Sequence, residues 1–254
     1  MKYKILNTVT RLTIKNKSFQ GEKLFQKILN VNIVTKFFIK IITRVLKLTS
    51  NFRTEEKILL GVSDYLKIIN IIKDLGGKKI FPKREIESIY FDDKNFKMYN
   101  ESEEGVLPRY KIRLRRYPQS DLKKWFFEKK INSVEGKFKK TNLISQSKKD
   151  CLIKFGINDQ VYGNCNPKLI IKYIREYYSI KDERITLDMN ITYSDFNSKL
   201  LISDNESLIL EIKSKTDIFY ETLLNKLQSK KIRISKYCEA VNKLFNYNIQ
   251  RQTN

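Results

Sequence analysis

The sequence predicts an α+β protein in which about eight strands close into a barrel with a polar, basic interior and helices packed outside. Segment after segment alternates polar and apolar side chains, the two-residue period of a strand with one buried face. In residues 110–117 (YKIRLRRY), Lys111, Arg113 and Arg115 take one face and Ile112 and Leu114 the other. An ordinary half-buried strand turns mixed charges to solvent. Here a single sign fills the polar face, and solvent or a polyanion has to offset the repulsion along that row. The stretches between strands carry apolar stripes at helical spacing. Closing the strands on one another buries their apolar faces under these helices and turns the charged faces inward, the reverse of an ordinary small barrel.

Composition narrows the chemistry. At 254 residues, with 41% hydrophobic and 12% aromatic residues, the chain can fold as one large or two small domains. Lysine and arginine total 51 against 28 acids, a formal charge of +23. Such an excess repels itself in a compact state and points to an anionic partner: nucleic acid, an anionic membrane surface or an inorganic phosphate chain. Part of the lysine, asparagine and isoleucine richness is what an AT-rich genome produces. Histidine is absent, which removes histidine bases, the usual catalytic triad and histidine metal ligands. The cysteines, Cys151, Cys165 and Cys238, are odd in number and form no CxxC pair, so a thiolate zinc site is not expected. They read as reduced thiols of a cytoplasmic protein. Any metal is then held by carboxylates and by the ligand's own oxygens, which points to Mg2+ or Mn2+.

In chain order, residues 1–50 form a basic extension with Glu22 as the single acid and no signal-peptide pattern. Residues 31–48 read as an amphipathic helix, with Lys36, Lys40 and Arg44 opposite Phe37, Phe38, Ile41, Ile42 and Val45. Its cations argue against a membrane span. It suits an anionic membrane surface, or docking on the barrel or on another chain. Residues 51–60 form the first strand, with Arg53, Glu55 and Lys57 on one face. A helix follows over 63–75, with Ser63 as N-cap and a Gly76-Gly77 stop. Residues 85–92 are a strand, 93–108 a loop, and 110–117 the basic strand. Residues 124–131 and 134–143 form a hairpin turning at Asn132-Ser133. A helix and a loop fill 144–166. Three more strands cover 169–178, 183–193 and 207–215. Two helices close the chain, one over 219–230 and one capped by Ser235.

Glu-x-Lys recurs on the polar face of three of these strands, as Glu55/Lys57, Glu128/Lys130 and Glu211/Lys213. Same-face residues two apart lie about 7 Å from each other. A single pair is an ordinary surface ion pair; three copies beside YKIRLRRY read as the lining of a phosphate tunnel. Arginine neutralises phosphate oxygens through bidentate hydrogen bonds, and lysine does so as a point charge. The lining set is Arg53, Lys57, Lys111, Arg113, Arg115, Lys130, Lys139, Arg175, Arg184 and Lys213. The few opposing carboxylates, Glu55, Glu128, Asp188 and Glu211, suffice for one divalent metal that also takes phosphate oxygens. A Walker loop is absent.

The segments RTEEK (53–57), SIYFD (88–92), RYKIRLRRY (109–117), FFEKK (126–130), ERITLD (183–188), LEIKSK (210–215) and ISKYC (234–238) occur in this order. They resemble the VTC domain, the polyphosphate polymerase domain of the vacuolar transporter chaperone family, within the triphosphate tunnel metalloenzyme superfamily. The resemblance covers roughly residues 51–245. It implies an antiparallel eight-stranded tunnel, a divalent metal (Mn2+ or Mg2+), and growth of inorganic polyphosphate from ATP. It implies phosphate contacts for Arg113, Arg115, Lys130, Lys139, Arg175, Arg184 and Lys236. Glu211 is then the metal carboxylate, with Glu55 and Glu128 as further candidates, and Ser235 a hydrogen-bond donor to phosphate. The superfamily's hydrolases open with Glu-x-Glu-x-Lys. Arg53 replaces the first of those carboxylates here, which weakens a two-metal hydrolase and suits the VTC branch. The expected organisation is an extension over 1–50, a tunnel domain over 51–247 and a tail over 248–254.

The terminal phosphate of a growing chain is already anionic near neutral pH and needs no strong base. Phosphoryl transfer then rests on positioning and on neutralising charge. Two further readings stay open. One is a triphosphate or polyphosphate hydrolase, which needs a water activated by a carboxylate such as Glu55 or Glu128. The other is a non-catalytic tunnel that binds polyphosphate or nucleotide. Nucleic acid is not expected as the partner, because no zinc finger, RNP motif or helix-turn-helix is evident.

Overall fold

The computed structural model describes residues 54–119, 124–181, 183–214, 217–229 and 234–246. Arg53, the basic helix expected over 31–48 and the tail over 248–254 lie outside the described residues. The chain runs β1 (Thr54–Gly61), a 3-10 turn (Val62–Asp64), α1 (Tyr65–Asp74), β2 (Lys78–Asp92), α2 (Lys97–Glu104) and β3 (Arg109–Arg116). It continues with β4 (Trp125–Ser133), β5 (Gly136–Ile144), α3 (Gln146–Phe155), β6 (Ile157–Asp159), β7 (Gly163–Ile180) and β8 (Glu183–Asp195). It ends with β9 (Leu201–Asp204), β10 (Ser207–Ser214), α4 (Asp217–Leu227), α5 (Lys236–Val241) and a π-helical turn over Asn242–Asn246. None of the described helices is long and apolar enough to cross a membrane.

The ten strands among the described residues join one antiparallel sheet in the order β1-β10-β8-β7-β2-β3-β4-β5, with β6 added to β7 and β9 to β8. This corrects the closed eight-stranded barrel. β1 and β5 are the two ends of the path, and no backbone pairing joins them among the described residues. Side chains bridge the seam instead: Lys137 Nζ donates to the Glu55 carbonyl at 3.1 Å, and Lys130 Nζ to the Glu55 carboxylate at 3.2 Å. Lysines on an edge strand oppose ladder pairing, and β5 carries Lys137, Lys139 and Lys140. The extra strands, β6 and β9, span three and four residues, too short for alternation to reveal.

The apolar faces go where the period-two pattern sends them. Ile112 and Leu114 of β3 are fully buried with Ile86, Phe91 and Ile171, under Met98 of α2 and Tyr237 of α5. Ile58, Ile185, Leu187, Leu210 and Ile212 form a second cluster with Ile68 and Ile72 of α1 and Leu223 of α4. Several local expectations differ from what is found. Ser63 lies inside the 3-10 turn and does not cap α1, whose N-cap is Asp64. Part of the loop expected over 93–108 is α2. Its N-terminus is held by Asp93 accepting from Lys97 N (2.6 Å) and Asp92 accepting from Met98 N (3.0 Å). The β4–β5 turn falls at Val134-Glu135, closed by Gly136 at φ 135, two residues later than expected. Ser235 caps α5 as expected, accepting from Cys238 N at 3.3 Å.

Candidate functional site

The sheet curls around a cavity of about 1050 Å3 to which β1 at one end of the path and β4 and β5 at the other both contribute. Among the described residues, thirteen lysines and arginines line it, against five glutamates. Nearly every residue expected to line the tunnel borders it: Lys57, Lys111, Arg113, Arg115, Lys130, Lys139, Arg175, Arg184, Lys213, Ser235, Lys236, Glu55 and Glu211. Glu128 and Asp188 lie behind these cations, 3% and 0% exposed.

Strand register brings like charges side by side. Lys111 of β3 pairs with Lys130 of β4, and Lys130 with Lys139 of β5, a row of three ammonium groups across three strands. Arg84 lies opposite Arg175, and Lys213 opposite Arg184. Like charges directly opposite destabilise a sheet, so these rows call for anions. Some come from the protein. β1 and β10 run antiparallel with Glu55 opposite Lys213 and Lys57 opposite Glu211, so two of the Glu-x-Lys pairs interlock. Glu55 touches Lys57 (3.7 Å), Lys130 (3.2 Å) and Lys213 (3.2 Å). Glu211 touches Arg175 and Lys213, each at 3.4 Å. The third pair faces β3. Glu128 lies opposite Arg113 and binds its Nε at 2.7 Å, with Lys139 Nζ at 2.5 Å. Asp188 accepts from Arg175 Nε at 2.5 Å and from Lys236 Nζ at 2.5 Å.

These contacts set the protonation states. Burial and the neighbouring Glu211 push the Glu55 carboxyl up, but Lys130, Lys57 and Lys213 outweigh them and hold it at about 2. Burial is likewise overcome at Glu128 by Arg113, Arg115 and Lys139, which hold it at about 2. At Glu211, Arg175, Lys57 and Lys213 overcome burial and keep the carboxyl well below its usual range. Two other groups move towards neutrality. Burial lowers Lys130 to about 8, with Glu55 opposing and Lys57 assisting. Burial pushes the Tyr90 phenol up, but Arg113, Arg115 and Lys111 bring it down to about 8. Arg113 donates to the Tyr90 hydroxyl at 2.7 Å.

Other cavity groups have capacity left for a ligand. Arg115, 6% exposed, donates to Ser88 Oγ (3.2 Å) and Tyr173 OH (3.3 Å), which aim its guanidinium; its nearest carboxylate contact is Glu128 at 3.9 Å. Arg184 has no carboxylate partner among the described residues, and its buried Nε bonds nothing there. Ser235 Oγ borders the cavity and accepts from Lys111 Nζ (2.6 Å) and Cys238 N (3.3 Å).

The donor set fits one divalent metal in part. Glu55 Oε2 and Glu211 Oε1 contact the same ammonium, Lys213, from two sides, so a cation already sits between two carboxylates. Two carboxylates plus phosphate oxygens is a set magnesium-like ions accept. Glu128 is committed to a different set of cations, and no cluster of three acidic or thiol ligands occurs among the described residues.

Sequence reasoning missed Arg84 and Arg109, and the aromatic residues Phe81, Tyr90, Tyr110, Tyr117, Tyr173, Tyr177 and Tyr237 that line the cavity; Lys137, on the same face of β5 as Lys139, lines it as well. For Tyr90, Tyr173 and Tyr177 the signal was present, since each shares strand parity with a lining cation or its partner. Arg84 left none, because residues 78–84 do not alternate.

Among solved structures, the chain is similar to a protein of Bacillus halodurans described as a candidate adenylate cyclase. The TM-score is 0.53 at 12% identity, over 76% of this chain and 97% of that one. It is also similar to a Hippeastrum protein described as a candidate adenylyl cyclase with a dominant triphosphatase activity, at TM-score 0.48, 12% identity, and 76% and 96% coverage. At these identities the first likeness speaks for the fold alone. No curated protein sequence matches. The VTC domain profile matches residues 52–161 and 157–245, and those spans hold the interlocked Glu-x-Lys strands, the basic row of β3 and the capped Ser235-Lys236 turn. By that match, over most of its length, the chain belongs to the VTC domain family.

Proposed function

We propose that this protein is a polyphosphate polymerase. It transfers the terminal phosphoryl group of ATP to the end of an inorganic polyphosphate chain held in the basic cavity. A P–O–P bond forms at the chain end as the bond to the β-phosphate oxygen breaks and ADP leaves. The observation that carries this reading is the engagement of the strand carboxylates by cations: Glu55 contacts Lys57, Lys130 and Lys213, Glu211 contacts Arg175 and Lys213, and Glu128, behind the lining, contacts Arg113 and Lys139. These cations keep all three carboxyls below their usual range. A general base works best with a pKa near the operating pH, so none is suited to deprotonate water. A chain-terminal phosphate needs no such base. What it needs is positioning and charge neutralisation, which the Lys111–Lys130–Lys139 row, Arg113, Arg115, Arg175, Arg184, Lys213, Ser235 and Lys236 are placed to supply. Lys57 and Arg53 extend the same lining in this reading.

Glu211 and Glu55 would hold a divalent metal, Mn2+ or Mg2+; such an ion supplies charge neutralisation and orientation of phosphate oxygens. Residues 51–247 act as the tunnel domain in a cytoplasmic setting. Residues 1–50, through 31–48, contact a membrane surface or partner chain, and 248–254 form a tail. Triphosphate hydrolysis is the second reading; Glu55 and Glu211, which flank Lys213, would serve it by holding a metal and not as bases.

Incubation with ATP and Mn2+, followed by a gel stained for polyphosphate, tests the proposal. A ladder of long chains is expected, and Arg115→Ala should lower its rate by about 10^2-fold or more, as loss of a charge-stabilising donor does. Orthophosphate release from tripolyphosphate with no ladder would move the assignment to hydrolysis.

A further inference from the structure

We propose that Phe81, Arg84 and Tyr177 form a stacking site for the nucleobase of the nucleoside triphosphate whose phosphates enter the cavity. This rests on the reading of the cavity as a phosphate site and names what its mouth recognises. Tyr173, Arg175 and Tyr177 follow one another on the inner face of β7, each less than a tenth exposed. Beyond them β2 contributes Phe81, opposite Tyr177, and Arg84, opposite Arg175. Phe81 is 45% exposed although it lines the cavity, and Arg84 is exposed as well. The inner face therefore passes from buried cations to an open aromatic rim.

The rim is ordered. Phe81 and Tyr177 meet edge-on, ring centroids 5.6 Å apart at 88°. The Arg84 guanidinium lies over both rings, 5.0 Å from Phe81 and 5.7 Å from Tyr177. The β2–β7 register shifts on both sides of Phe81, between Lys79 and Phe81 and again between Phe81 and Arg84. Such irregularities break ladder bonds and re-aim a side chain.

A polyphosphate chain has no apolar surface and gains nothing from ring faces. A nucleobase has a π-face that stacks on aromatic rings and on a guanidinium plane. Spacing agrees. Same-face residues two apart on a strand are about 7 Å apart, so an α-phosphate at Arg175 leaves about one sugar's width before Tyr177. The rim thus recognises the donor nucleotide, while the interior recognises phosphate of either origin.

The test is calorimetric titration of the full chain at fixed Mg2+ with ATP and, separately, with tripolyphosphate. Phe81→Ala, with Arg84→Gln as a second variant, should weaken ATP binding about tenfold. Phe81→Ala should leave tripolyphosphate affinity within twofold; Arg84→Gln removes both a stacking plane and a cavity charge opposite Arg175, so it should cost ATP more than it costs tripolyphosphate. Unchanged ATP affinity in both variants, or equal losses for both ligands in both, would overturn the stacking site. Wild-type protein that binds tripolyphosphate but not ATP would overturn it too, with the phosphate cavity intact. Wild-type protein that binds neither would instead overturn the proposed function, and the stacking site with it.

Discussion

Replacing Asp188 with asparagine removes a carboxylate that holds two cations, Arg175 and Lys236, beneath the cavity. Asp188 is fully buried, accepts from Arg175 at 2.5 and 2.6 Å, and contacts Lys236 at 2.5 Å. Those cations outweigh burial and keep its carboxyl below the usual range. Removing one partner from a buried ion pair costs about 3–5 kcal/mol, because the charges left behind stay desolvated. Arg175 keeps its 3.4 Å contact to Glu211, which places the loss towards the lower end. For a domain of this size, each kcal/mol moves Tm by about 2–4 °C, so a decrease of roughly 6–12 °C follows from a loss of about 3 kcal/mol. The freed guanidinium and ammonium then favour an added anion. Tripolyphosphate should therefore raise the variant's Tm by more than the wild type's, through binding to the folded state alone. Thermal denaturation with and without tripolyphosphate measures both quantities. A variant melting within about 2 °C of wild type, or gaining no more than wild type from tripolyphosphate, would refute the assignment of Asp188 as a clamp on buried cations.

Other consequences follow from the same geometry. Glu211→Gln should abolish tight Mn2+ binding in the presence of tripolyphosphate, read by the loss of free-ion signal in electron paramagnetic resonance. Glu128→Gln should retain that binding, because Glu128 is engaged by Arg113 and Lys139. Affinity for tripolyphosphate should fall as pH rises through about 8. Lys130, lowered to about 8 chiefly by burial beside Glu55, Lys57 and Glu211, is a cation below that value and neutral above it. Tyr90 ionises over the same range and adds an anion beside Arg113, so both changes weaken anion binding in the same direction. A Lys130→Arg/Tyr90→Phe double variant, titrated from roughly pH 7 to pH 9, about one unit either side of that value, should lose that limb.

The parts of the site legible in sequence are those where one strand's own alternation decides which way a side chain faces. Lys111, Arg113 and Arg115 turn into the cavity because Ile112 and Leu114 are claimed by the core. Whether a carboxylate is free or clamped is decided by its neighbours across the sheet, which spacing does not encode. Glu55, Glu128 and Glu211 share one local motif. Register sets Glu55 against Lys213 and Glu211 against Lys57, but Glu128 against Arg113. Arg84 was hidden for a similar reason. Residues 78–84 show no alternation, and they extend β2 because β7 is 18 residues long and offers them a partner. Closure of the barrel was the over-reading. The pattern of buried faces gives curvature and core, but the edges meet through Lys130 and Lys137 and not through a ladder. α2 was readable in principle, since Asp92-Asp93 before an amphipathic turn is a capping signal.

The destination of the γ-phosphate separates polymerase from hydrolase in a single assay. With ATP labelled at that phosphorus and Mn2+ present, label should enter a polymer that lengthens with time and should be lost from it with Lys213→Ala. Label recovered as orthophosphate from the earliest time points, with none in polymer, would contradict the polymerase assignment.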